Sequence, residues 1–381
     1  MTAGLRDRAP LRGSPKPDTA MARVIIVGGG IAGLTAAFRL RGDAQIQVLE
    51  AAPTLGGQIR TERSAGFAIE RGAEGFVFRS EAIPALAADL GMLDELMGQS
   101  VMQSYGFGES GLRILAPGEA AASLAFQVGT ADLGKGIRTF RHGMASLIWA
   151  LEDQLRQRVQ IHCGALATRI EPSSQGICVT LDDGRRHDAE LVIVATHARG
   201  AAALLAPHFA DGTTGLAQTA TLSSVTVELA FERGQVDHAL DGTGFVVATD
   251  YQRDGLRACT FSSVKFADRS PSGKISLRLF FRPSPAQLEL DDDAWAQRAV
   301  SGVRRILPVS GQPLRAWVSR WPDALPVFND SYRAAVVEAE TALAARPIVL
   351  AGSAFHGAGI DAAVRSGEAA AAEAKRRVLR T

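Results

Sequence analysis

The chain of 381 residues is long enough for two domains, and its 46% hydrophobic and 21% charged residues are ordinary for a globular fold. A net charge of +1 leaves no broad field to gather nucleic acid or an anionic membrane surface. No apolar run reaches the roughly 20 residues a membrane-spanning helix needs, and Cys163, Cys178 and Cys259 form neither a CxxC pair nor a metal-ligand spacing, so reduced thiols in a cytoplasmic protein are expected.

Residues 1–20 are rich in Pro, Gly and charge without periodicity, and are expected to be a disordered leader. Val24 to Val27 form a continuous apolar run, the pattern of a strand buried on both faces. Gly28, Gly30 and Gly33 then follow as G-x-G-x-x-G and open the helical stretch "LTAAFRL". In such a turn the first glycine permits the bend and the second lets backbone approach a pyrophosphate. The third lets the helix pack on the strand. Ile31 and Ala32 fall in the first helical turn, where N–H groups and the dipole favour phosphate. "QIQVLE" supplies a second strand ending in Glu50, 22 residues beyond Gly28, where a carboxylate can accept a ribose hydroxyl. An acid at this point argues against the 2′-phosphate of NADP. Gly56 and Gly57 in "AAPTLGGQIRT" place a second bare turn beside the first, where a longer, two-ended cofactor would extend.

Further along, "EAIPALAADLGMLDELM" predicts one or two helices divided at Gly91. "SSVTVELAF", "GFVVAT" and "KISLRLFF" alternate and are rich in β-branched residues, as strands of a mixed sheet are. Asp291 to Asp293 precede "AWAQRAVSGVRRIL" and read as the acidic start of an amphipathic helix. Trp317 and Trp321 are expected in the core. Neither a Ser-His-Asp triad nor a metal site emerges, and no internal repeat is visible.

The Rossmann turn, the acid and the Gly-Gly turn together resemble the amine oxidase and protoporphyrinogen oxidase superfamily of flavoproteins. The resemblance implies FAD, with Gly56, Gly57 and Gln58 beside the pyrophosphate and Gly72, Ala73 and Glu74 near the flavin. Gln58 stands where that family often has Arg or Lys. "IHCGALATRIEP" resembles the strand that meets the adenine, through Ala167. "LVIVATHARGAAALLAP" resembles the strand that closes the cofactor domain, with His197 where proline is usual. "IVLAGSAFHGAGIDAAVRSGEAAAAEA" resembles the C-terminal flavin motif, with Gly352 in its turn and Gly359 and Ile360 under the pyrimidine end. No cysteine lies near it, so non-covalent FAD is expected. "ACTFSSVKFADRSPSGKISLRLFF" and "TFRHGMASLIWALEDQL" are similar to segments of protoporphyrinogen and coproporphyrinogen oxidases.

The implied fold is α/β, a Rossmann-type FAD-binding domain interleaved with a smaller α+β substrate domain that contains a mixed sheet. The first would combine 21–80, 139–200 and 335–381, and the second 81–138 and 201–334. Between 81 and 138 the chain is too short for the family's helical cap. The implied reaction is dehydrogenation of a small-molecule substrate, a porphyrinogen or a smaller ring, by hydride transfer to flavin. Oxygen or another acceptor then reoxidises the flavin. Oxidation of a C–N bond, or a redox-neutral flavin protein, is the alternative. Ser104, Tyr105, Phe328, Tyr332 and Phe355 are the expected substrate pocket. Ser104 stands nearest to where relatives place a propionate-binding arginine, for which Arg113 or Arg138 could substitute. His356, in "AFHGAG", is the candidate for proton transfer at the flavin. Nothing in the sequence points to an oligomeric state.

Overall fold

A computed structural model describes residues 21–124 and 135–378; the expected leader, 1–20, lies outside the described residues. Strand β1 (Arg23–Val27) passes through the glycine turn into α1 (Ile31–Leu40) and returns as β2 (Gln45–Glu50). A hairpin of β3 (Thr61–Ser64) and β4 (Phe67–Glu70) follows, then the short β5 (Phe76–Val77). The stretch expected to make one or two helices makes α2 (Ala82–Asp89), a single 3-10 turn at Leu93–Glu95, and β6 (Leu96–Gly98). Next come the hairpin β7 (Tyr105–Gly108) and β8 (Gly111–Ile114), and the one-turn α3 (Glu119–Ser123). β9 (Ile137–Phe140), α4 (Ala145–Leu155) and β10 (Val159–Cys163) lead back to the first sheet.

β11 (Ala167–Ser173), β12 (Gly176–Leu181) and β13 (Arg186–Ala189) form an antiparallel meander. β14 (Leu191–Val194) and α5 (Ala198–Phe209) come next. They are followed by β15 (Thr221–Glu232), β16 (Gly244–Val247), β17 (Leu256–Thr260), α6 (Ser262–Lys265) and β18 (Lys274–Phe281). The chain ends through α7 (Pro285–Leu288), α8 (Asp292–Arg304), β19 (Arg315–Pro326), α9 (Asp330–Leu343), β20 (Ile348–Leu350), α10 (Ser353–His356) and α11 (Ile360–Val378).

Five strands form a parallel sheet in the order β10-β2-β1-β14-β20, with Val27 opposite both Leu49 and Val194. Its apolar run serves two cores because side chains alternate across a sheet. Val24 and Ile26 pack with α1, α4 and α11, whereas Ile25 and Val27 pack with the meander, α5 and α9. A seven-stranded mixed sheet has the order β19-β15-β18-β17-β16-β7-β8. β7 joins it parallel to β16, so the hairpin at 105–114 extends this sheet where the resemblance leads one to look for a helical cap. α8 covers its core through Trp295, Ala299 and Val303. Asp291 caps that helix by accepting the Ala294 N–H at 2.8 Å, as its acidic start predicts. Pro326 ends β19 at the sheet edge, where its missing N–H costs no ladder bond. No helix among the described residues is long and apolar enough to cross a membrane.

Candidate active site

The site starts at the β1–α1 turn. Gly28 has φ +113°, and a Cβ there would lie 2.5 Å from the Ala195 carbonyl oxygen. A Cβ at Gly33 would lie 2.0 Å from the Gly28 carbonyl oxygen. Both positions are closed to any side chain. Gly30 is the opposite case. Its backbone is extended, at φ −75°, and nothing lies within 4 Å of where its Cβ would stand. Gly57 meets only the Gly30 Cα, at 3.4 Å. The Gly56 N–H donates to the Gly29 carbonyl at 2.9 Å, so the two bare turns run side by side.

Glu50 ties β2 to the first turn and to the loop that leads to the second. Its Oε2 accepts the Gly29 N–H at 2.6 Å and its Oε1 the Ala52 N–H at 2.7 Å. Each carboxylate oxygen has a further lone pair for a ribose hydroxyl. The Ala165 N–H donates to the Glu50 carbonyl at 2.8 Å, which brings the chain leading to Ala167 alongside.

The third edge comes from the C-terminus. A Cβ at Gly367 would lie 2.3 Å from the Ala32 carbonyl oxygen, so α11 crosses α1 in direct backbone contact. Gly352 approaches the same Ala32, and Gly359 faces open space. Within α1 the Leu34 N–H bonds back to Gly30 at 2.9 Å, and within α11 the Ala363 N–H bonds back to Gly359 at 3.1 Å. The N–H groups of Ile31, Ala32 and Gly33, and of Ile360, Asp361 and Ala362, lie ahead of those bonds in the two first turns. Two helix N-termini thus border one stretch of bare backbone, an arrangement that fits an anionic dinucleotide.

The Gly72–Glu74 segment joins this cradle through Gln58. The Ala73 N–H donates to the Gln58 carbonyl at 3.0 Å, and a Cβ at Gly72 would sit 1.8 Å from that oxygen. Gln58 spends its carboxamide on the Ala324 carbonyl, at 3.0 Å, which anchors the second turn to β19. The Glu74 carboxylate pairs with Lys265 and, at 3.6 Å, with Arg278. Burial pushes this carboxyl up, but Lys265 and Arg278 outweigh it and hold it below the ordinary carboxylate range. Arg278 also donates to the Gly72 carbonyl.

The expected substrate pocket does not assemble. Phe328 and Tyr332 meet at a tilt of 53° with ring centres 4.8 Å apart. With Phe355 they belong to the core under the five-stranded sheet, where Tyr332 is 2% exposed. The reason is helical phase: Asn329 caps α9 by accepting the Tyr332 N–H at 2.8 Å, and the third helical position then points inward. Ser104 and Tyr105 lie on the other sheet, where Ser104 bonds Thr243 at 2.7 Å and Tyr105 donates to Asp241.

His356 ends α10. Its Nδ1 lies 2.6 Å from Ser366 Oγ and its Nε2 2.6 Å from Glu340, so both ring nitrogens are engaged in bridging α11 to α9. Arg113 is closed by Glu119, and Arg138 lies over the Phe78 ring at 4.3 Å. Trp317 is buried against Phe67 as expected, but Trp321 is only half-buried. Its Nε1 donates to the Arg71 carbonyl at 2.8 Å and its ring stands behind Gly72. Trp321 also lines a cleft of about 570 Å³ with Ile59, Arg60, Arg71 and Trp149; the cleft holds none of the predicted site residues.

Sequence reasoning missed a buried charged cluster beside the Gly72 segment, made of Glu70, Glu74, Glu228, Lys265, Arg269 and Arg278. "KISLRLFF" was legible as a strand, with no signal that Arg278 or the Lys265 before it turns inward.

The sequence model of the family described as flavin containing amine oxidoreductase matches residues 100–375. That of an NAD(P)-binding Rossmann-like domain matches residues 26–90. The coproporphyrinogen III oxidase of Bacillus subtilis (strain 168) is 24% identical over 462 residues, covering 92% of this chain and 97% of that protein. The coproporphyrinogen III oxidase of Propionibacterium freudenreichii is 33% identical over 229 residues, 58% of this chain and 42% of that protein. Among solved structures, a putative protoporphyrinogen oxidase from Exiguobacterium sp. 255-15 superposes with a TM-score of 0.79 and 22% identity, covering 93% of this chain and 99% of that one. The chain belongs to the flavin containing amine oxidoreductase family, as a protoporphyrinogen oxidase-like enzyme whose cofactor is FAD.

Proposed function

We propose that the enzyme dehydrogenates a porphyrinogen-type ring, with coproporphyrinogen III the first substrate to test. The observation that carries this reading is the match to a coproporphyrinogen III oxidase along 97% of that protein's length. The 462-residue alignment outruns the 381-residue chain, so that relative carries segments absent here. With a hairpin at 105–114 on the seven-stranded sheet, the substrate side would be more open than a full cap would leave.

When bound, FAD supplies a two-electron acceptor at its N5. In this reading Gly30 and Gly57 would let the pyrophosphate approach bare backbone between the α1 and α11 N-termini. Glu50 would hold the adenosine ribose, and the Ala167 strand would meet the adenine. Gly352, Gly359 and Ile360 would support the flavin end opposite Gly72, Ala73 and Glu74. The ion pairs of Glu74 with Lys265 and Arg278 would fix that segment against the seven-stranded sheet. Substrate would enter from the side of that sheet, and oxygen or another small acceptor would complete the cycle.

Porphyrin fluorescence developing in air from coproporphyrinogen III and protoporphyrinogen IX, set beside enzyme-dependent peroxide release from a polyamine as the contrasting substrate, tests the proposal. Enzyme-dependent porphyrin formation above the spontaneous rate is expected. Turnover of the polyamine with neither porphyrinogen oxidised would replace it with C–N oxidation.

A further inference from the structure

Of the two carboxyls in the charged cluster behind Gly72 that the reading above does not use, Glu70 is paired with Arg269 and Glu228 remains. Glu228, on β15, is 3% exposed, and its Oε1 has no hydrogen-bond partner. Around it stand Arg278 and Ser276 from β18, Ser262 from α6, Cys259 from β17, and Glu74 from the Gly72 segment, itself paired with Lys265. Glu70 and Arg269, paired at 3.1 Å, close the far side. The Nε and Nη1 of Arg278 and the Oγ of Ser262 also lack hydrogen-bond partners, and the groups line a cavity of about 10 Å³. That is about the space of one water molecule. Arg278 is the shared element: its guanidinium serves the Gly72 carbonyl and Glu74, and it stands directly opposite Glu228 across β15 and β18. Burial pushes the Glu228 carboxyl up to about 7 against the pull of Arg278.

We propose that Glu228 is a positioning residue: it holds an exchangeable proton and, by competing for Arg278, sets how firmly the Gly72–Gly75 segment is held where FAD binds. The proposal rests on the flavin reading above. With Glu228 neutral, the guanidinium is left to Gly72 and Glu74 and the segment is fixed. With Glu228 ionised, the same guanidinium is drawn toward β15 and the grip on the Gly72 carbonyl loosens. A buried charge gained there is costly, and Arg278 is the cation placed to answer it, with the Ser262 and Ser276 hydroxyls beside it.

The test is FAD affinity of the full-length apoprotein, read by quenching of FAD fluorescence between about pH 5.5 and pH 8.5, a window centred on the Glu228 midpoint. The wild type is expected to weaken at least roughly threefold as pH rises, with a single-proton midpoint near 7. Glu228→Gln keeps the neutral shape and should bind at the low-pH affinity throughout. Arg278→Lys keeps the charge but loses the fork, and should bind more weakly at every pH without that midpoint. An unchanged wild-type affinity across the window, or the same weakening in Glu228→Gln, overturns the proposal alone. A midpoint persisting in Arg278→Lys overturns it too, even if the Gln variant fails to fold. A wild type that takes up no FAD at any pH overturns the flavin reading and this proposal with it.

Discussion

Gly30 and Gly33 are three residues apart in one turn and predict opposite behaviour. Gly33→Ala puts a methyl 2.0 Å from the Gly28 carbonyl oxygen and 3.2 Å from Ile26 Cγ2. The oxygen is backbone and cannot swing away, so the turn must open, at about 1–3 kcal/mol or more of stability. Gly30→Val puts its Cβ where no atom lies within 4 Å and needs only the extended backbone already present. Replacing glycine removes freedom from the unfolded chain, worth about 0.4–1 kcal/mol, and a poor N-cap residue costs a similar amount. The net effect on the apoprotein is therefore within about 0.5 kcal/mol. Its effect on FAD is large, because the side chain occupies the face the pyrophosphate must reach. Losing one or two charge-assisted N–H contacts costs about 1.5–3 kcal/mol, roughly a ten- to hundredfold rise in Kd. Thermal unfolding of the apoproteins and FAD titration separate the two effects. A Gly30→Val protein that is much less stable, or that binds FAD like the wild type, would refute the placement of the cofactor on this backbone.

Other outcomes follow from the same geometry. Because the folded Glu228 carboxyl is raised to about 7, the folded state holds an extra proton above the ordinary carboxyl pKa. Stability should therefore fall as pH rises toward 7, by roughly 3 kcal/mol in all, and Glu228→Gln should flatten that slope in chemical denaturation; an unchanged slope would show that the carboxyl ionises normally. His356→Asn should leave turnover within a few-fold of wild type, since both ring nitrogens serve Ser366 and Glu340; a loss beyond a hundredfold would return it to the reaction. Tyr332→Ala should cost about 3–5 kcal/mol of stability through a core cavity, while Tyr332→Phe should leave substrate KM unchanged; a large rise in KM for the Phe variant would put Tyr332 in the pocket after all. Acid precipitation should release all the flavin into the supernatant, and a yellow pellet would indicate a covalent link.

The cofactor side was legible because its constraints are local. A continuous apolar strand, a glycine at φ +113° and an acid at the end of the next strand all lie within 28 residues, and each leaves its mark on residue type. The strands at 221–232, 244–247 and 274–281 were legible from alternation. "IHCGALATRIEP" was read as one strand, yet Gly164, at φ +67°, divides it between two sheets. The substrate side depends on helical phase and on which sheet a hairpin joins, and neither is written in composition. Phe328, Tyr332 and Phe355 are aromatic whether they face a pocket or a core, and only the packing of α9 decides. The buried cluster draws its charges from positions 70 to 278, and no window of sequence contains it.

Anaerobic mixing of the FAD-loaded enzyme with coproporphyrinogen III is the most direct measurement of the central assignment. Loss of the visible flavin band, with porphyrin appearing in step and the band returning when oxygen is admitted, is the predicted result. A flavin band that persists with coproporphyrinogen III, protoporphyrinogen IX and amines alike would contradict an oxidase and leave the fold holding FAD for another purpose.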